Sequence, residues 1–131
     1  SLKEKVLIEG IGIQGYGDLN YPPMRVIKET LETYAKLGIE IQLTEWSMPV
    51  TQENEVEFNR QAERYASIIR LIKKLDTDNG GPANITGITF FGLCDHYPLY
   101  PNDNNTTRLW DGKLNPKPVY FAVKDTLGFT E

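Results

Sequence analysis

The feature that most restricts what this chain can become is a repeated alternation of strand and helix patterns. "VLIEGIGIQ" (6 to 14), "IEIQLTE" (39 to 45) and "ITGITFFGL" (85 to 93) read as strands. "PPMRVIKETLETYAKLG" (22 to 38) reads as a helix, with prolines near its start, Gly38 as its stop, and Ile27, Leu31, Tyr34 and Ala35 as its apolar stripe. A second helix begins near Asn54, where Asn54 and Glu57 can form a capping box. Phe58, Ala62, Tyr65, Ala66, Ile69 and Ile72 form its inward face. "KPVYFAVKDTLG" closes the chain as a short helix ending at Gly128. Strands joined through helices run parallel, with right-handed crossovers.

Three such strands do not make a closed object. A parallel sheet normally has both faces covered and its edges satisfied. The fold class predicted is therefore α/β, either the last part of a larger barrel or a segment that associates with an N-terminal partner segment or with itself. With no linker or low-complexity stretch, residues 1 to 131 are expected to form one segment with no second domain. The first strand favours the barrel. Gly10, Gly12 and Gln14 share one face and Ile11 and Ile13 the other, as where a crowded barrel interior takes small side chains and the outer face packs on helices. Glu40 and Gln42 run against that picture and require polar partners.

Composition removes several function classes. A net charge of -4 without a Lys/Arg cluster argues against a phosphate-tracking nucleic-acid surface. No apolar run approaches the roughly 18 residues of a membrane span. Cys94 is the only cysteine, so no internal disulfide can form. His96 is the only histidine, and with no second imidazole or thiolate at ligand spacing it reads as a loop residue rather than a metal ligand. "GIGIQG" carries its glycines inside a strand, not at a turn opening a helix, so no dinucleotide site is expected.

One residue stands out of pattern. Side chains alternate faces along a strand, so Ile39, Ile41 and Leu43 share a row and Glu45 falls in line with them, while Glu40, Gln42 and Thr44 occupy the other. Taken alone, a carboxylate at a strand end is an ordinary acceptor for a backbone N–H or an arginine.

Taken together, "IEGIGIQGY", "IEIQLTEWSMPV", "GITFFGLCD" and "NPKPVYFAV" resemble strands six, seven and eight of the (β/α)8 TIM barrel of glycoside hydrolase family 10, the endo-β-1,4-xylanases. The resemblance covers essentially the whole chain. Its linked signals are a Thr-Glu ending the seventh strand, G(L/V)xD after the eighth and PKPxY before the last helix.

The resemblance implies that Glu45 is the nucleophile of a retaining glycosidase acting on xylan or a related β-glycan, with no cofactor and no metal. Barrel interiors open into the active site at the C-terminal ends of their strands, so a carboxylate in the row filling the interior would reach substrate. The acid/base partner, on strand four of the family in a Trp-x-x-x-Asn-Glu context, does not occur in this sequence. The isolated segment is therefore expected to be inactive. Gln14, Tyr16, Trp46 and Phe91 are the implied substrate-binding residues, with Tyr97, Tyr100 and Trp110 as further aromatics for a sugar platform.

Tyr16 stands where the family commonly has His, Trp46-Ser47 where it has Leu-Asp, and Phe91 where it has Trp. The Ser-Trp after the family's Asp is replaced around Pro98 and Leu99. These departures leave two other expectations open: a non-catalytic carbohydrate-binding or structural barrel remnant, or a glycosidase for another β-glycan. A polymeric substrate implies an extracellular, secreted protein.

Overall fold

The computed structural model describes residues 9–90, 94–96 and 106–128. Within them the chain runs β1 (Gly10–Tyr16), α1 (Met24–Ala35), β2 (Glu40–Ser47), α2 (Glu55–Leu75), a 3-10 turn (Thr77–Asn79), β3 (Asn84–Phe90) and α3 (Pro118–Leu127). The sheet order is β1-β2-β3 and both pairings are parallel, as the alternation predicts. Residues 6–8 and 91–93 of the predicted strands lie outside the described residues.

The helix ends show the local chemistry. Pro23 precedes α1 as its cap, and the helix stops before Gly38, which takes the left-handed φ of 66° that the turn into β2 requires. At α2, Asn54 Oδ1 accepts the Glu57 N–H at 2.9 Å, so half of the predicted capping box forms. The other half does not: Asn54 N–H donates to Gln52 O at 3.1 Å and the Glu57 carboxylate pairs with Arg60 at 2.7 Å. α3 ends where the sequence predicts, on Gly128 at φ 83°.

One face of the sheet carries the core. Ile41 and Leu43, 0% and 3% exposed, pack with Leu31 of α1, Tyr65, Ile68, Ile69 and Ile72 of α2, and Val119 and Val123 of α3. Each such fully buried aliphatic contributes roughly 1.5–3 kcal/mol. Ile11 and Ile13 of β1 and Ile85 and Ile88 of β3 pack against the same cluster. Among the described residues nothing covers the opposite face. Gly10, Gly12, Gln14 and Gln42 are exposed there, and Gly10 pairs with Glu40, Gly12 with Gln42 and Gln14 with Thr44 across the β1–β2 ladder.

Candidate active site

The β1–β2 ladder is regular up to Thr44 and irregular beyond it, whereas the β2–β3 ladder shifts register once earlier, between Ile41 and Gln42. Gln14 pairs with Thr44 but the next pair is Tyr16 with Ser47, so two residues of β2 oppose one of β1. Toward β3 the same extra residue appears between the pairs Leu43–Ile88 and Trp46–Phe90. Glu45 sits in this β-bulge at a φ of 52°, in the left-handed region that a residue with a Cβ rarely occupies.

The bulge corrects the reading of the apolar row. Ile39, Ile41 and Leu43 do not fill a barrel interior; Ile41 and Leu43 lie in the core formed with the helices. Glu45 does not continue that row. The extra residue breaks the alternation, and Trp46 and Met48, 6% and 1% exposed, take over the helix-facing positions. Glu45, partly exposed, is thereby released from the core side at the C-terminal end of the sheet. Bulge geometry, not period-two alternation, accounts for its placement.

Glu40 and Gln42 find partners on the uncovered face. The Glu40 carboxylate accepts from Thr86 Oγ1 of β3 at 2.5 Å and from Gln42 Nε2 at 3.1 Å. The Thr86 bond, then the Gln42 bond, hold its carboxyl below the ordinary value.

The other expected site residues divide. Gln14 is exposed at the upper end of β1, in register with Thr44, the neighbour of Glu45. The backbone of Tyr16 pairs with Ser47, but its side chain lies outside what is described, as do Phe91, Tyr97 and Tyr100. Trp46 requires a correction. It is buried edge-to-face against Tyr65, with centroids 6.4 Å apart at 88°, and a Cβ on Gly15 would fall 2.1 Å from its ring. A ring sealed in this way has no free face for a sugar, so Trp46 is a core residue. Trp110 packs on Tyr120 at 5.2 Å. His96 Nε2 lies 2.5 Å from Glu53 Oε1, joining the loop after β2 to the segment after β3. Among the described residues no group of three or more His, Cys, Asp or Glu could hold a metal ion.

A buried polar network beside the site escaped the sequence reading. Asp95 Oδ1 accepts the Arg108 N–H at 3.0 Å, and Lys117 Nζ lies 2.8 Å from Asp95 Oδ2, both side chains almost fully buried. That contact is an ion pair by distance rather than a well-directed hydrogen bond. Lys117 also donates to Thr106 O at 3.0 Å and sits 4.9 Å from the centroid of the Phe58 ring. Burial pushes the Lys117 ammonium down in pKa, opposed chiefly by Asp95. Asp95 and Lys117 belong to two of the motifs quoted above, G(L/V)xD and PKPxY. Their linkage is physical: the two letters are an ion pair.

The profile of Glycosyl hydrolase family 10 matches residues 1–126. A Caldicellulosiruptor saccharolyticus protein provisionally named an endo-1,4-beta-xylanase is 46% identical over 130 residues, covering 92% of this chain and 42% of that one. An endo-1,4-beta-xylanase of Geobacillus stearothermophilus is 32% identical over 141 residues, 94% of this chain and 40% of its own. Among solved structures, xylanase 10B of Thermotoga maritima superposes with a TM-score of 0.78 at 33% identity, covering 96% of this chain and 39% of that chain. The intracellular xylanase TsXylA of Thermoanaerobacterium saccharolyticum, in a complex with xylotetraose, gives a TM-score of 0.76 at 31% identity, with coverages of 92% and 35%.

Three parallel strands backed by helices are the fold of a segment of a TIM barrel. The chain belongs to glycosyl hydrolase family 10. It spans about two-fifths of the length of these relatives, 42% of the first and 40% of the second.

Proposed function

We propose that this chain supplies strands six to eight and the nucleophile, Glu45, of a retaining endo-1,4-β-xylanase. The observation that carries the reading is the bulge, which lifts a carboxylate out of the helix-facing row at the C-terminal end of the central strand of a family 10 chain. Barrel enzymes place their chemistry at that end of the sheet. The uncovered face, small at Gly10 and Gly12 and polar at Gln14, Glu40 and Gln42, receives the remaining strands of the barrel, from the N-terminal part of the protein.

In the reaction the Glu45 carboxylate attacks the anomeric carbon and the glycosidic oxygen leaves with a proton from an acid carried by the rest of the barrel. Water, activated by that same group, then hydrolyses the glycosyl ester. No cofactor is needed for this double displacement. Gln14, Tyr16 and Phe91 are the residues assigned to sugar binding on the strength of the family resemblance. Xylan as substrate is supported by solved relatives in complex with xylotetraose and xylobiose; an extracellular location is proposed from the polymeric substrate alone, one of those relatives being named as intracellular.

The test is hydrolysis of an aryl β-xylobioside by the longest natural chain carrying this segment, native and Glu45→Ala, with and without azide. Loss of activity and its rescue as the α-glycosyl azide identify Glu45 as the nucleophile. Native activity in the variant makes Glu45 a structural carboxylate. Binding of xylo-oligosaccharide without turnover by the native chain makes the protein a carbohydrate-binding remnant.

A further inference from the structure

We infer that Tyr65 and Gln61, two buried side chains of α2, are positioning residues for Glu45: by gripping the backbone of Met48 they hold the bulge in its left-handed form. The inference rests on reading Glu45 as the nucleophile. An L residue at positive φ persists only where its surroundings over-determine it, so the question is what holds the chain on either side of Glu45. Before it, Leu43 is anchored in the core, and immediately after it Trp46 is wedged between Gly15 and Tyr65.

β2 ends at Ser47, and the next residue bonds to α2. The Met48 N–H donates to Tyr65 Oη at 3.0 Å, and the Met48 carbonyl accepts from Gln61 Nε2 at 2.8 Å. Tyr65 and Gln61 are four residues apart, one helical turn, and both are 0% exposed. Each has a second bond to the loop before α3: Gln61 Nε2 to Thr106 O at 2.8 Å and Tyr65 Oη to Thr107 O at 3.2 Å. Both donors of the amide face carbonyls, which sets its orientation. Burial raises the pKa of the Tyr65 phenol far above its ordinary value, so it remains a neutral donor over the working range.

Two side chains thus do for Met48 what a neighbouring strand does for β2, three residues from the carboxylate. Without them a buried N–H and C=O would lose their partners, and the segment could relax by moving Glu45 off its left-handed φ. Attack on an anomeric carbon tolerates little displacement, so the loss falls on the chemical step rather than on binding.

The test uses Tyr65→Phe, which keeps the ring against Trp46 and deletes the hydroxyl, and Gln61→Met, which deletes both donors at similar volume. Both are made in the longest natural chain and assayed with a dinitrophenyl xylobioside. Burst amplitude counts only competent sites, so a partly unfolded preparation still gives a rate per site. The expected result is a fall in the glycosylation rate per site of roughly 10- to 100-fold in each variant, with the Kd for xylobiose little changed and the acid limb of the kcat/KM profile displaced. A native rate per site and a native acid limb, with only a lower Tm, would make the clamp purely structural and overturn the inference. Azide treatment of Glu45→Ala separates the two claims: rescue there with native rates in the clamp variants sinks the positioning role alone, and full activity of Glu45→Ala sinks the nucleophile reading first.

Discussion

The two halves of β2 follow different rules. From Glu40 to Thr44 the strand alternates, stays in register with β1, and sends Ile41 and Leu43 to the helices while Glu40 and Gln42 bond on the other face. From Glu45 to Ser47 it carries an extra residue, a left-handed backbone and consecutive buried side chains at Trp46 and Ser47. The lower half is organised by area burial, which is forgiving of detail. The upper half runs into Met48, which is held by directed bonds from α2 side chains that are themselves tied to the loop before α3, and such bonds are not forgiving. A strand can therefore serve as wall at one end and as instrument mount at the other, provided something outside the sheet stabilises the departure from regularity.

The contrast breaks most sharply at Glu45. Glu45→Gln is expected to reduce kcat on the order of 10⁴-fold or more, by analogy with removal of other catalytic groups. It should scarcely alter Tm, because the side chain lies outside the core; steady-state kinetics and a melting scan on the same preparation check both halves of the statement.

Next is the support under the upper half. Asp95→Asn leaves Lys117 buried without its paired carboxylate, only Glu53 and Asp111 acting on it from further off, and should cost about 3–5 kcal/mol of unfolding free energy in urea titration. A loss under 1 kcal/mol would mean that solvent reaches the pair and that the network does not brace the site. Ile41→Val in the lower half should cost only about 0.5–1.5 kcal/mol and leave kcat per folded molecule unchanged. A drop in kcat there would erase the distinction between wall and mount.

The smallest effect is one of pH. Asp18 accepts the Asn20 and Tyr21 N–H groups, each at 2.7 Å, in a loop whose Gly17 N–H bonds Ser47 O at 3.3 Å. Those two backbone bonds hold the Asp18 carboxyl below its ordinary 3.8. A carboxyl depressed by folding adds stability above the unfolded value, and that contribution disappears as pH falls through the lower folded value. Asp18→Asn should therefore flatten the fall of Tm below about pH 4 and leave higher pH almost untouched; a Tm profile parallel to the native one would show that the loop bonds do not favour the ionised form.

The elements themselves were plain in the sequence because they depend on near neighbours. The periodicity of Tyr65, Ile69 and Ile72, the Asn54 cap and the glycine stops at Gly38 and Gly128 all act within a turn or two of chain. The candidate site was less legible. Glu45 was singled out for a parity that the bulge cancels, and Trp46 was assigned to substrate from its ring although its neighbours Gly15 and Tyr65 enclose it. Gln61 and Tyr65 carry no functional signal in the sequence: Tyr65 reads as one more residue of the inward face, and Gln61 is a polar residue outside the predicted face that the structure buries.

What the sequence determined by itself was the order of strands and helices, the parallel sense of the sheet and the family, because propensity, capping and motif order are written locally. What only the tertiary structure decided was which row of β2 faces the helices, where the alternation breaks, and that Asp95 meets Lys117 while Met48 is held by Gln61 and Tyr65. Those outcomes depend on contacts between residues distant in the chain, whose free energy exists only once the elements pack. A bulge moreover shifts side-chain phase by a single residue, a change too small for a pattern of period two to announce.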